Sequence, residues 1–219
     1  VYAANNGANI ANCSWGWATP DYYEQDVLDA IDYFIGMNRG NNVSGGVMFF
    51  ATGNDGTTGN MYPACYEKVV AVGSMTDDFT SATYSNYGEW VDIVAPGGLL
   101  DFGEAHGVLS TLPGNQYGFN EGTSMATPHV TGIAALVVSQ HGNSTLPAET
   151  IRQQIITSVN DIYAYNEGKE GLHGAGYIDA AKALNMSGSG VAPEPVDTFT
   201  ALPAQDNITL EWVIPASND

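Results

Sequence analysis

The sequence predicts an α/β fold built on a mainly parallel sheet. Short, continuously apolar runs of strand length alternate along the chain with longer stretches whose apolar residues recur at helical spacing. The composition agrees: 44% of the 219 residues are apolar and only 13% charged, enough for a substantial core in one large domain, or one domain with an appendage.

Val1 to Gly7 reads as the tail of a helix, stopped by Gly7 ahead of a strand over Ala8–Ser14. Thr19 and Pro20 have the chemistry of a helix cap and first helical residue. Val27, Leu28, Ile31, Phe34 and Ile35 then mark one buried face up to about Arg39. Val47–Thr52 is an apolar strand that runs into the turn Gly53-Asn54-Asp55-Gly56. Val69–Val72 and Val91–Ala95 are two further strands, ended by Gly73 and by Pro96-Gly97. Val108–Leu112 and Gln116–Phe119 flank Pro113-Gly114-Asn115, a hairpin signal. A long helix is expected from Ser124 to about Gln140. A second starts at Pro147, with Ile151, Ile155, Ile156 and Val159 on one face, and a short last one covers Tyr177–Leu184. Ser187 opens a Ser/Gly/Pro-rich linker over 187–197, after which Ile208, Leu210 and Trp212 alternate with polar residues as in a strand.

Charge and cysteine content narrow the function classes. Asp and Glu number 24 against 5 Lys and Arg, a net charge of -19 that repels phosphate backbones and anionic lipid. Nucleic-acid and membrane-surface partners are therefore not expected, and no apolar run is long enough to span a bilayer. Cys13 and Cys65 permit one disulfide or two free thiols.

The chemistry concentrates in Gly122-Thr123-Ser124-Met125-Ala126-Thr127-Pro128-His129. At a helix start, the hydroxyl of Ser124 lies beside unpaired N–H groups and the positive end of the helix dipole, which favour a developing oxyanion. Pro128 is tolerable there because the first turn has no intrahelical N–H bonds to lose. Taken alone, such a serine is more simply a helix cap. Taken together, the eight residues resemble the nucleophile motif of the subtilisin-like serine proteases. Two further segments strengthen the resemblance. Phe50-Ala51-Thr52-Gly53-Asn54 is similar to the family's oxyanion-hole strand, and Asn12-Cys13-Ser14-Trp15-Gly16 is similar to the segment that lines its primary specificity pocket. The resemblance implies Ser124 as nucleophile and Asn54 as oxyanion donor, with Ser14, Trp15, Gly16, Thr52 and Gly53 contacting a peptide or protein substrate. Tyr62-Pro63-Ala64 would form a further wall. Ser85-Asn86-Tyr87-Gly88, Val94-Ala95-Pro96-Gly97 and Gly174–Ala180 match as structural signatures.

The family's order of catalytic residues is Asp, His, Ser. Its Asp-Ser/Thr-Gly and His-Gly-Thr-His motifs do not occur in this sequence. His106-Gly107 stands in the wrong order, His129 belongs to the serine motif, and His141 and His173 read as helix-end or loop residues. The resemblance thus implies a three-layer, parallel-sheet subtilisin-like fold that is truncated, without its first strands. A partial peptidase domain over 1–186 precedes the linker, and 198–219 resemble the incomplete start of a fibronectin type III domain. Such a chain is expected to be inactive alone and to self-associate through the exposed edge of the Ala8–Ser14 strand. No cofactor is required. Calcium is frequent in the family, but no ligand cluster here is diagnostic, and Asp55, Asp77 and Asp78 read as solvated loop acids. A secreted, cell-surface or periplasmic location follows from the resemblance. The competing reading is a catalytically silent subtilisin-like binding or scaffold module. An unrelated hydrolase is disfavoured, since the sequence contains no Gly-x-Ser-x-Gly elbow.

Overall fold

The computed structural model describes residues 1–185, apart from 39 and 41, together with the strands at 198–203 and 208–213. Six strands form the main sheet: β1 (Ile10–Cys13), β2 (Val47–Ala51), β3 (Val70–Met75), β4 (Ile93–Pro96), β7 (Val159–Asn160) and β8 (Tyr177–Ile178). Their order is β1-β2-β3-β4-β8-β7, parallel from β1 through β8, with β7 antiparallel at the far edge. Among the described residues β1 pairs only with β2, in the register Ile10↔Val47 to Cys13↔Phe50, so its other edge is open. Between β4 and β7, β5 (Val108–Leu112) and β6 (Gln116–Asn120) form the hairpin expected around Pro113-Gly114-Asn115.

Alternation along the strands explains the three layers. Phe49, Val70 and Val72 face one side, where they pack against α3 (Thr123–His141) and α4 (Ala148–Thr157). Phe50, Val69 and Ala71 face the other, where they meet Leu28 and Ile31 of α2 (Gln25–Gly36). A strand whose neighbouring residues are all buried must be covered on both faces, which is why β2 and β3 read as unbroken apolar runs. α3 presents Ala126, Val130, Ala134 and Val137 to the sheet, all fully buried. The two alanines let the helix approach closely. Each buried valine contributes about 1.5–3 kcal/mol through its lost water contact.

Several readings differ from the sequence expectation. β3 runs through Gly73 to Met75 because Gly73 and Ser74 pair with Val94 and Ala95. Pro128 lies inside α3 rather than in its first turn. Three elements differ for local reasons. Pro20 starts no helix; α2 begins at Gln25, after an extended Glu24. Asp21 takes φ +59° and its N–H donates to the Asn60 carbonyl at 2.9 Å, which draws this segment across to residues 60–62. Val159 lies in β7 rather than on α4. Tyr177 and Ile178 form β8, because β4 and β7 offer them backbone partners. Only Ala180–Leu184 is helical there (α5), capped by the Asp179 carboxylate accepting from the Lys182 N–H at 3.0 Å. α1 spans Tyr2–Asn5, and Gly7 follows it at φ +88°.

Cys13 and Cys65 are free thiols, held protonated by burial that pushes them up to about 11 and about 12. Two antiparallel strands, β9 (Thr198–Pro203) and β10 (Ile208–Val213), pair as a hairpin. The linker predicted over 187–197 lies outside the described residues. Among those residues no helix is long and apolar enough to cross a membrane.

Candidate active site

The site is assembled where the C-terminal ends of β1 and β2 meet the first turn of α3. Gly122 enters that turn at φ +138°, a conformation that side-chain-bearing residues rarely adopt. Its N–H is shared between the Gly97 carbonyl and the Tyr84 hydroxyl, each at 2.9 Å. The Tyr84 hydroxyl also lies 2.6 Å from the Gly98 carbonyl and 3.0 Å from that of Gly97. Its single proton goes to this carbonyl pair, so Ser74 Oγ, at 2.8 Å, donates to it. One phenol thus connects β3, the turn after β4 and the entry to α3.

Thr123 and Ser124 follow. Thr123 is fully buried, and both its N–H and its hydroxyl donate to Asn54 Oδ1 at 2.9 Å. Its Oγ1 accepts from the Gly53 N–H at 3.2 Å. These bonds fix the amide of Asn54: the acceptor is occupied by Thr123, which leaves the two Nδ2 donors for the cavity. The turn beneath is braced by buried Asn86. Its Nδ2 donates to the Thr52 carbonyl at 2.9 Å, and its Oδ1 accepts from the N–H groups of Asp55 and Thr57 at 3.0 and 3.1 Å.

Ser124 Oγ donates to the Ser14 carbonyl at 3.4 Å, and Ser14 Oγ donates to the Ser124 carbonyl at 2.8 Å. This reciprocal pair clasps the end of β1 to α3. The structure therefore brings Ser124, Asn54, Trp15, Gly16, Thr52 and Gly53 into the lining of one cavity of about 190 Å³. Ser14 is not in that lining; its side chain holds Ser124 from behind. Trp17, Met61 and Asp55 also line the cavity and were not singled out from the sequence as contacts. Trp17 is aligned by its N–H donating to the Tyr62 carbonyl at 2.9 Å and by ring contact with Trp15 at 5.5 Å. No periodicity marks such loop residues.

Among the described residues no histidine lines the cavity. The exposed ring of His129 donates from Nδ1 to the Met125 carbonyl at 2.8 Å, and His106 Nδ1 pairs with Asp77 at 2.8 Å. The Ser14 carbonyl that receives the Ser124 proton is no base, so the serine is an unactivated alcohol in this arrangement. The acidic loop residues are engaged by protein groups. Asp78 is held down to about 2 by hydrogen bonds from Thr76 and Thr80, and Asp77 is engaged by His106. No group of three or more His, Cys, Asp or Glu among the described residues could hold a metal ion.

The profile of the Subtilase family, peptidase S8, matches residues 1–177. The chain belongs to the subtilase family. A thermophilic serine proteinase of Bacillus sp. (strain AK1) is 40% identical over 153 residues, which cover 70% of this subtilase chain and 34% of that protein. A calcium-dependent protease of Nostoc sp. (strain PCC 7120) is 32% identical, over 92% of this chain and 35% of the relative. Among solved structures, the prenylagaramide maturation protease PagA superposes with a TM-score of 0.69 at 27% identity, over 83% of this chain and 62% of that one. The subtilase chain thus spans about a third of the length of these curated relatives.

Proposed function

We propose that this subtilase chain is the nucleophile-bearing part of a serine endopeptidase. Ser124 Oγ attacks the scissile carbonyl carbon while its proton passes to a general base supplied from outside these 219 residues. The resulting oxyanion is held by Asn54 Nδ2 and the Ser124 N–H. Collapse breaks the C–N bond, the protonated amine leaves, and water then hydrolyses the acyl-enzyme on Ser124. The reading is carried by one observation: Thr123 occupies the acceptor of Asn54, and Asn54 and Ser124 line the same cavity. Trp15, Gly16, Thr52 and Gly53 are the substrate-contacting residues, and Ser14 orients the nucleophile. No cofactor enters any step.

Labelling with a fluorophosphonate tests the proposal. Strong labelling of the full-length protein, abolished by Ser124→Ala, is expected, with little labelling of the 219-residue chain. A full-length protein that stays unlabelled would instead favour a silent binding or scaffold module. Strong labelling of the chain alone would show that a base within it had been missed.

Export to the cell exterior, surface or periplasm suits the resemblance to secreted subtilisins. The strands β9 and β10 suit the opening of a separate, fibronectin type III-like module after the peptidase domain. The open edge of β1 presents unpaired N–H and C=O groups, and a second copy of this chain would satisfy them by edge pairing. Light scattering at tens of micromolar should therefore report dimers or larger; a monomer would count against edge pairing.

A further inference from the structure

Beside the cavity mouth three aromatic rings stand in a row. Trp15 is 48% exposed, Trp17 half-buried and Tyr22 45% exposed. Ring centroids are 5.5 Å apart from Trp15 to Trp17 and 6.1 Å apart from Trp17 to Tyr22. The row starts in the cavity and leaves it, since Trp15 and Trp17 belong to the lining and Tyr22 does not. Its steps are close to the roughly 6.5 Å that separates alternate side chains of an extended peptide.

Rings left in water cost free energy until something covers them, so a contiguous exposed row marks a recognition surface. This row is also held in place. The Trp17 N–H donates to the Tyr62 carbonyl and the Asp21 N–H to the Asn60 carbonyl, both at 2.9 Å. Asn60 Nδ2 donates to Asp21 Oδ1, also at 2.9 Å. Pro20 packs so closely on Gly59 that a Cβ there would lie 2.8 Å from its ring. The Tyr22 hydroxyl donates to Glu24 Oε1 at 3.0 Å, which sets a carboxylate beside the outermost ring. A surface arranged in advance loses little entropy when a guest arrives.

Charge selects the guest. The segments that build this surface, 12–26 and 51–63, contain Asp21, Glu24, Asp26 and Asp55 but no Lys, Arg or His. Among the described residues none of these carboxylates forms an ion pair. Ring faces attract cations, arginine above all because its planar guanidinium also stacks. A neutral glycan gains from the rings but nothing from the net charge of -19.

We propose that Trp17 and Tyr22, with Asp21 and Glu24, form an accessory surface that captures arginine-bearing segments of extended polypeptides beside the cavity mouth. As a recruiter of substrates the surface rests on the reading of Ser124 as the acylated residue. Its affinity for arginine does not.

Fluorescence anisotropy of a dye-labelled Gly-Arg-Gly-Arg-Gly peptide, titrated with the 219-residue chain, tests the assignment. Exchanging both arginines for citrulline keeps the shape and removes the charge. It should weaken binding by about tenfold at low salt, and the gap should narrow at about 0.5 M salt. Tyr22→Ala should weaken the arginine peptide by roughly two- to fivefold, the share of one exposed ring, and Glu24→Gln should weaken it as well. Tyr22→Phe keeps the ring and should stay within about twofold of the parent. Should Tyr22→Ala fail to fold in a thermal melt, Tyr22→Leu removes the ring, keeps the bulk and should show the same weakening. Equal affinities for the arginine and citrulline peptides would overturn the proposal. So would an arginine affinity unmoved by the Tyr22 and Glu24 variants, which would mean attraction to the overall charge alone. Binding of a chito-oligosaccharide that Tyr22→Ala abolishes, with arginine binding intact, would overturn it in favour of a glycan platform. This readout requires no nucleophile. Arginine capture by a full-length protein that takes no label on Ser124 would count against the catalytic reading and not against this surface.

Discussion

Replacing Asn54 in the full-length protein is expected to slow acylation of Ser124 by about 10²–10³-fold, or ~2.7–4 kcal/mol of transition-state stabilisation. That magnitude belongs to the oxyanion asparagine of subtilisin itself and is carried over to this chain. The informative substitution is Asn54→Asp. The carboxylate can still accept from the Thr123 N–H and hydroxyl, which now meet Asn54 Oδ1 at 2.9 Å, so the buried threonine keeps its partners. Only the Nδ2 donors are lost, and a negative charge faces the place where one must develop. Asn54→Leu removes the acceptor as well and leaves the Thr123 N–H unpaired, at a further cost of about 1–3 kcal/mol in stability. Equal melting temperatures but a large drop in kcat for Asn54→Asp, with KM little changed, would mark a loss confined to the transition state. A kcat within a few-fold of the parent would remove Asn54 from the chemistry.

Acidification should destabilise the fold through His173. This imidazole is 1% exposed, its Nε2 finds no hydrogen-bond partner among the described residues, and its ring lies 6.0 Å from that of Tyr87. Burial, reinforced by the charge of Lys169, lowers its pKa from 6.5 to about 4. The unfolded chain therefore takes up the proton first. The stability that comes from keeping this ring neutral is complete above about pH 6.5 and is lost progressively as pH falls to about 4. The loss approaches ~3 kcal/mol. Asp78 loses its contribution mainly below this window, as pH falls from about 3.8 to about 2, and is common to parent and variant. Asp92, raised by burial, acts with the opposite sign but is common to parent and variant. Denaturant unfolding at pH 7 and pH 4 should therefore show a smaller acid loss for His173→Phe than for the parent, by about that amount. Parallel losses in the two proteins would show that His173 does not carry the effect.

Much of this was legible because the chemistry is written in contiguous residues. Gly122–His129 announces a helix start with a serine in its first turn, and the Phe50–Asn54 strand ends on the amide that meets it. Burial on both faces of β2 and β3 made the parallel sheet readable as unbroken apolar runs. What escaped reading depends on contacts between segments distant in sequence. Trp17 and Met61 reach the cavity because the 16–21 and 60–62 loops are hydrogen-bonded to each other, and neither loop has a repeating pattern. The same contact turns the chain at Pro20 and Asp21, although Thr19 and Pro20 have the local chemistry of a helix start. Tyr177 and Ile178 carry apolar side chains compatible with a helix; only the presence of β4 and β7 beside them selects the extended form. His173 looked like an ordinary loop residue, since burial of a single ring leaves no trace in its neighbours.

The Tyr84 hydroxyl has a mechanical consequence. It joins Ser74 in an interior strand, the Gly97-Gly98 bend and the Gly122 amide at one oxygen. Gly122, which enters the turn that carries Ser124, is therefore anchored to a fully buried strand and not only to a surface loop. Local fraying cannot release it, and the serine loses its alignment only when the surrounding cooperative unit opens. In this chain the placement of Ser124 and the fold fail together.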